Sequence, residues 1–228
     1  MNNSQIEKKL SDIKMNLVQR HLYGNDIIDI GSGRGYYSQW LSEINSDLHI
    51  VAVDHCALQD PQGFVFVQTD LEQPMPFADN SFDTLLAFDI IEHIAHEKQI
   101  IRELNRICRP QGILIGSAPH DDDGFLPAYN VTFHHRTDLT HKRYYTRSSL
   151  RTVLEQENFI VDYLTAQGIV PPAIFAEFFA PSMRPLIKKC IGALRRLHII
   201  NADRLSSDIF FVAHKNGERI TSASCNHQ

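Results

Sequence analysis

Three glycines at alternate positions, Gly31, Gly33 and Gly35 in DIIDIGSGRGYYS, follow an apolar run and lead into a helical pattern. A tight glycine turn between strand and helix exposes backbone N–H groups that side chains would otherwise cover, and such a turn can hold a dinucleotide, a phosphate or a nucleoside. The dinucleotide fingerprint wants glycine or alanine at position 36, and Tyr36 stands there. Asp29, two residues before the first glycine, repels pyrophosphate and suits a ligand that carries an ammonium group. Asp54 closes the next apolar run, VAVDHC, about twenty residues past the glycines, where a carboxylate can accept from ribose hydroxyls. Asp70 follows the third run and can accept from an adenine amino group, with Leu71 and His55 flanking the ring. The fourth run, in SFDTLLAFDIIEHI, carries Phe88 and Asp89 to its mouth.

A second group of residues suits proton transfer. The chain has twelve histidines, and neutral imidazole near pH 7 is the natural base for a hydroxyl. His93 lies in D-x-x-E-H, which sets Asp89, Glu92 and His93 on one face if a helix begins there, an arrangement able to hold a divalent metal. The polar stretch His120 to Tyr145 is long for a connection and reads as a functional loop. His120 to Asp123 within it reads as a solvated acidic turn.

Taken together, these motifs resemble the class I S-adenosylmethionine-dependent methyltransferases. The resemblance spans roughly Asn25 to Phe159, and DIFFVAHK near the end is similar to that family's antiparallel final strand. It implies a Rossmann-like α/β fold with a seven-stranded sheet ordered 3-2-1-4-5-7-6, helices on both faces and an inserted helical segment before the last strand. It further implies S-adenosylmethionine as cofactor and S-adenosylhomocysteine as product. Gly31, Ser32 and Gly33 would approach the methionine part, with Asp29 and Gly35 completing the loop. Asp54 would clamp the ribose, and Asp70 with Leu71 would select adenine. TDLTHKRYYTRSSLRTVLEQENF is similar to a segment of methyltransferases associated with bacterial glycan biosynthesis, whose histidine His141 matches; from this loop His141 or His135 is expected as base, with Arg143 and Tyr144 shaping the acceptor pocket. DIIEH resembles the E-x-x-E-H of quinone-pathway O-methyltransferases, with Asp in place of the first Glu. That departure leaves His93 as a catalytic candidate and no metal assigned. The expected reaction is methyl transfer to a small-molecule hydroxyl on a sugar, glycan precursor or secondary metabolite. The competing expectations are a quinone or lipid acceptor at a membrane surface and a catalytically silent cofactor-binding partner subunit.

The elements that must position these residues follow from periodicity. Short apolar runs at Ile27 to Ile30, His49 to Val53, Phe64 to Val67, Thr84 to Phe88, Ile113 to Ile115, Phe159 to Leu164 and Ile209 to Ala213 read as strands. Helical patterns cover 6–22, Tyr36 to Ile44, Glu92 to Cys108, and Ser148 to Glu157 behind a cap at Thr146. Alternating strand and helix predict a mostly parallel sheet in one domain, 1–228, with a leading helix (1–23), an acceptor loop (120–146) and a helical insertion or lid (171–200). Within that insertion, 186–198 is amphipathic and basic, a pattern that fits contact with a membrane or a lipid-linked substrate. A net charge of -5 argues against a nucleic-acid partner. The polar start, the lack of a spanning apolar run and four scattered cysteines lead us to expect a cytoplasmic protein. Oligomeric state is left open.

Overall fold

Nearly continuous apolar runs form strands when a sheet is covered on both faces, because every side chain then finds a core. The computed structural model describes residues 6, 7, 9–121, 138–167, 179–197, 199 and 206–217. In chain order the elements are α1 (Asp12–His21), β1 (Asp26–Ile30), α2 (Tyr36–Ile44), β2 (His49–Asp54), β3 (Val65–Gln68) and β4 (Phe82–Phe88). A 3-10 turn (Ile91–His93), α3 (Glu97–Ile107), β5 (Cys108–Pro119), α4 (Arg147–Gln156), β6 (Phe159–Gln167), α5 (Arg184–Arg196) and β7 (Asp208–Lys215) follow. The seven strands lie in the order β3-β2-β1-β4-β5-β7-β6, the order the resemblance implied. β1 pairs in parallel with both β2 and β4, and β7 runs antiparallel between β5 and β6.

Alternation along β4 shows the two cores. Leu85 and Ala87 join the cluster covered by Ile100, Ile101 and Leu104 of α3 and by Leu150 and Leu154 of α4. Leu86 and Phe88 join the other, covered by Leu17 and Val18 of α1 and by Trp40 and Leu41 of α2. Each fully buried side chain of this size stabilises the fold by about 1.5–3 kcal/mol, which outweighs the weak preference of short helices to form alone.

Two elements depart from the sequence expectation. The predicted helix over Glu92 to Cys108 is interrupted: residues 91–93 make one 3-10 turn and α3 starts only at Glu97. Long-range bonds take the backbone groups between them. The Ala95 N–H donates to Glu72 Oε1 at 2.7 Å, and Arg143 Nη2 donates to the Ala95 carbonyl at 2.6 Å. β5 is far longer than the three residues expected and begins where α3 stops. Arg109 pulls its start against the sheet by bridging Asp26 at 2.7 Å and Asp83 at 2.8 Å, while Gln111 absorbs the bend at φ 66°. His135 and most of the predicted acceptor loop lie outside the described residues, as does much of the insertion before α5.

Candidate active site

β1 has β2 on one side and β4 on the other, so the chain order reverses at its edge, and a crevice opens beyond the carboxyl ends of these strands. The glycine turn fills the mouth of that crevice. Gly31, Gly33 and Gly35 all take positive φ, at 68°, 55° and 69°. Their surroundings differ: a Cβ on Gly31 would lie 2.6 Å from Ile90 and one on Gly35 2.5 Å from Phe64, whereas one on Gly33 would meet nothing within 4 Å. Gly31 and Gly35 are therefore needed for packing, and Gly33 borders open space. The Ser32 hydroxyl beside it is buried without a hydrogen-bond partner among the described residues. An open cradle and an orphaned hydroxyl at the end of β1 fit a bound nucleoside ligand.

Asp54 ends β2 and is buried. Its Oδ2 accepts from the Gly33 N–H at 2.9 Å, and its Oδ1 accepts from the Cys56 N–H at 2.9 Å with His55 Nδ1 at 3.1 Å. The carboxylate thus fixes the glycine turn to the end of β2. The Thr69 N–H donates to the Asp54 carbonyl at 2.9 Å and draws Asp70 alongside. Asp70 is exposed and caps its own turn through the Glu72 N–H. Leu71 is turned the other way, 7% exposed in the core, so what it offers the crevice is backbone.

Asp29 lies on the inner side of the turn, 4% exposed, and accepts from Ser38 Oγ at 2.7 Å. Burial raises its pKa to about 6 against the pull of the Ser38 bond. Asp29, Gly31 and Ser32 line a cavity of about 160 Å³ whose other walls include Tyr37, Phe88, Asp89 and Lys14. α1 supplies the roof. Lys14 pairs with Asp89 and sits 5.2 Å from the Phe88 ring centroid, and the Ser11 N–H donates to the Tyr37 hydroxyl at 3.3 Å. Nothing in the spacing of the leading helix singled out Lys14. Asp89 itself adopts φ 51°, in the left-handed region, held by its N–H to the Ser117 carbonyl at 3.1 Å and by the Ser117 hydroxyl on its carboxylate. Backbone strain of this kind at a cleft is typical of functional positions.

The expected grouping of Asp89, Glu92 and His93 on one helical face is not what forms. Without a helix at this point, Asp89 turns to Lys14 and Ser117, and the residue that joins Glu92 and His93 is His141. The His93 and His141 rings meet edge to face at 4.6 Å between centroids. Backbone bonds hold the two segments together, with the Lys142 N–H donating to the Glu92 carbonyl at 2.8 Å. Glu92 is 1% exposed, and burial pushes its carboxyl up to about 8, with the Asp89 charge adding to the rise. Burial and the neighbouring imidazole hold His93 below the usual histidine range. Arg143 donates to the Ala95 carbonyl and faces Glu97, and the Tyr144 ring lies 5.8 Å from that of His141. His120, read as part of a solvated turn, is instead buried, with Nδ1 2.8 Å from the Ser206 carbonyl.

Residues 28–116, which contain the glycine turn, Asp54, Asp70 and Asp89, match the family model described as a methyltransferase domain. That match and the sheet order support a class I S-adenosylmethionine-dependent methyltransferase. A protein of Mycobacterium tuberculosis named a probable S-adenosylmethionine-dependent methyltransferase is 25% identical over 182 residues, 78% of this chain and 60% of the relative. A tRNA U34 carboxymethyltransferase of Nautilia profundicola is 30% identical over 116 residues, 46% of this chain and 38% of that one. Among solved structures, an S-adenosylmethionine-dependent methyltransferase of Archaeoglobus fulgidus shares the fold with a TM-score of 0.58 at 17% identity, covering 89% of this chain and 93% of that one. The chain spans 60% or less of the length of these two curated relatives.

Proposed function

We propose that the protein transfers a methyl group from S-adenosylmethionine to a hydroxyl of a small-molecule acceptor, a sugar, glycan precursor or secondary metabolite. The observation that carries this reading is the imidazole pair His93 and His141, set against buried Glu92 just past the end of β4, beside the strand end whose Phe88 and Asp89 line the cavity. Bound S-adenosylmethionine supplies a methyl already activated on a sulfonium sulfur, so the protein's main task is alignment, together with removal of the acceptor's proton. Asp54 and Gly33 would hold the nucleoside end, and Asp29 and Ser32 the methionine end. The imidazole pair handles the proton. A net charge of -5 weighs against a phosphate-rich acceptor, although one relative is named for tRNA.

Calorimetric titration with S-adenosylmethionine, S-adenosylhomocysteine and NAD, followed by an acceptor screen with labelled methyl donor, tests the reading. Micromolar binding of the first two and none of NAD is expected, and binding of NAD alone would overturn the cofactor assignment. His141→Ala should leave S-adenosylhomocysteine affinity unchanged and lower turnover by about 10²–10⁴-fold, the usual contribution of acid–base chemistry. Cofactor binding without turnover on any acceptor would favour a silent partner subunit.

A second reading, a lipid-linked or quinone acceptor at a membrane surface, draws on α5. Its segment exposes Phe179, Met183, Leu186 and Leu197 beside Arg184, Lys188 and Lys189, with no acidic residue between 179 and 199. Among the described residues no helix is long and apolar enough to cross a membrane, so contact of this kind would be peripheral. Sedimentation with anionic vesicles distinguishes the two readings.

A further inference from the structure

We propose that Glu92, His93 and His141 form a binding site for one divalent first-row transition-metal ion, with open coordination positions facing the acceptor side of the cleft. One ligand atom from each of the three residues lies within 4.8 Å of the other two. Donors at about 2.0–2.2 Å from a metal stand roughly 3–4 Å apart, so small side-chain rotations bring this set to bonding geometry. Two imidazole nitrogens and one carboxylate oxygen suit zinc, cobalt or iron better than magnesium or calcium, which favour oxygen alone.

Three further features aim the donors inward. The Thr140 hydroxyl donates to Asp138 Oδ1 at 2.6 Å, so toward His93 Nδ1, 2.9 Å away, it can only accept. Nδ1 of His93 therefore carries the proton, and Nε2 carries the lone pair. The other oxygen of Asp138 faces His141 Nε2 at 3.6 Å, which favours the proton on that nitrogen and leaves Nδ1 as the donor. A carboxylate and a hydroxyl that orient ligand imidazoles from behind are the usual outer support of a metal site. Glu92 supplies the third feature, since its Oε2 is buried without a hydrogen-bond partner among the described residues. A carboxylate taken out of water with one oxygen unpartnered is costly, and a cation is the partner that removes the cost.

The use of the ion rests on the methyl-transfer reading, whereas its binding does not. A hydroxyl coordinated to it becomes more acidic and passes its proton to water, so the imidazole pair serves proton removal through the ion it holds. Three protein ligands with a vacant position are the pattern of catalytic sites.

The test is a titration of chelator-stripped full-length protein with cobalt(II), followed by visible absorption and displaced with zinc. One equivalent should give a d–d band, zinc should abolish it, and Glu92→Gln and His141→Gln should lose it while still binding S-adenosylhomocysteine, which shows that they fold. Asp138→Asn should keep the band with cobalt affinity weakened by about 10–100-fold. A near-ultraviolet sulfur-to-cobalt band would place the ion at Asp54, His55 and Cys56 and overturn the assignment, as would no band at millimolar cobalt. Methyl transfer measured on the same samples before and after cobalt loading separates the two failures. Transfer without cobalt binding sinks the metal site alone, and cobalt binding without transfer to any acceptor sinks the proposed function alone.

Discussion

Asp29 is kept as a carboxylate where burial opposes its charge, and the consequence for stability has a definite sign. Its folded pKa of about 6 lies above the 3.8 of the free side chain. Below about pH 4 both folded and unfolded chains hold the proton, and the group costs nothing. Between the two values the folded chain keeps a proton that the unfolded chain has released, so the stability present at low pH is lost as pH rises through 6. Two pKa units correspond to roughly 3 kcal/mol. Asp29→Asn keeps an oxygen for the Ser38 hydroxyl and removes the charge. The variant should match the parent near pH 4 and exceed it by about 3 kcal/mol at pH 7.5, read from urea melts at both values. An equal difference at the two pH values would mean that the charge is compensated. A cost of that size next to a ligand cavity is one that a bound ammonium group would offset.

α4 sets the position of the histidine segment by fixing its downstream end. The Thr146 side chain accepts from the Ser149 N–H at 3.1 Å while the Thr146 N–H donates to Ser149 Oγ at 2.9 Å, a complete capping box. Just before it, the Tyr145 hydroxyl donates to Glu97 and its backbone bonds Pro119 and Asp121. Thr146→Ala should cost about 1 kcal/mol and lower the melting temperature by about 2–4 °C without changing S-adenosylhomocysteine affinity. No shift in calorimetric melting would show that the cap contributes nothing. This cap and α2 were legible in the sequence because each rests on local chemistry, whereas the order of all seven strands came from the family resemblance that the motifs carry. The limits of β5 were not legible, since its start, where Cys108 pairs with Phe82 before the register shifts, is held at the sheet by Arg109 reaching Asp26 eighty-three residues away. The partner of Glu92 and His93 was hidden for the same reason. Local spacing pointed to Asp89, and only the long-range bond from Lys142 brings His141 there instead.

At the scale of the whole molecule, the cofactor site exists only when the sheet does. The turn after β1, Asp54 at the end of β2 and Asp89 past the end of β4 come from three strands that are neighbours through parallel pairing, and the roof comes from α1. An unfolded chain has no comparable site, so a nucleoside ligand binds the folded state alone and stabilises it by mass action. At one hundred times its dissociation constant, S-adenosylhomocysteine should add about 2.7 kcal/mol. For a chain of this size, each kcal/mol moves the melting temperature by about 2–4 °C, which gives a rise of roughly 5–10 °C. NAD at the same concentration should give none, because Asp29 and the bulk of Tyr36 oppose a pyrophosphate at the turn. Scanning calorimetry of the stripped protein with each ligand reads both outcomes in one experiment. A rise with S-adenosylhomocysteine that Gly33→Arg abolishes, in a variant that still melts cooperatively on its own, would locate the ligand at the open glycine. A rise that survives that change would place it elsewhere in the molecule.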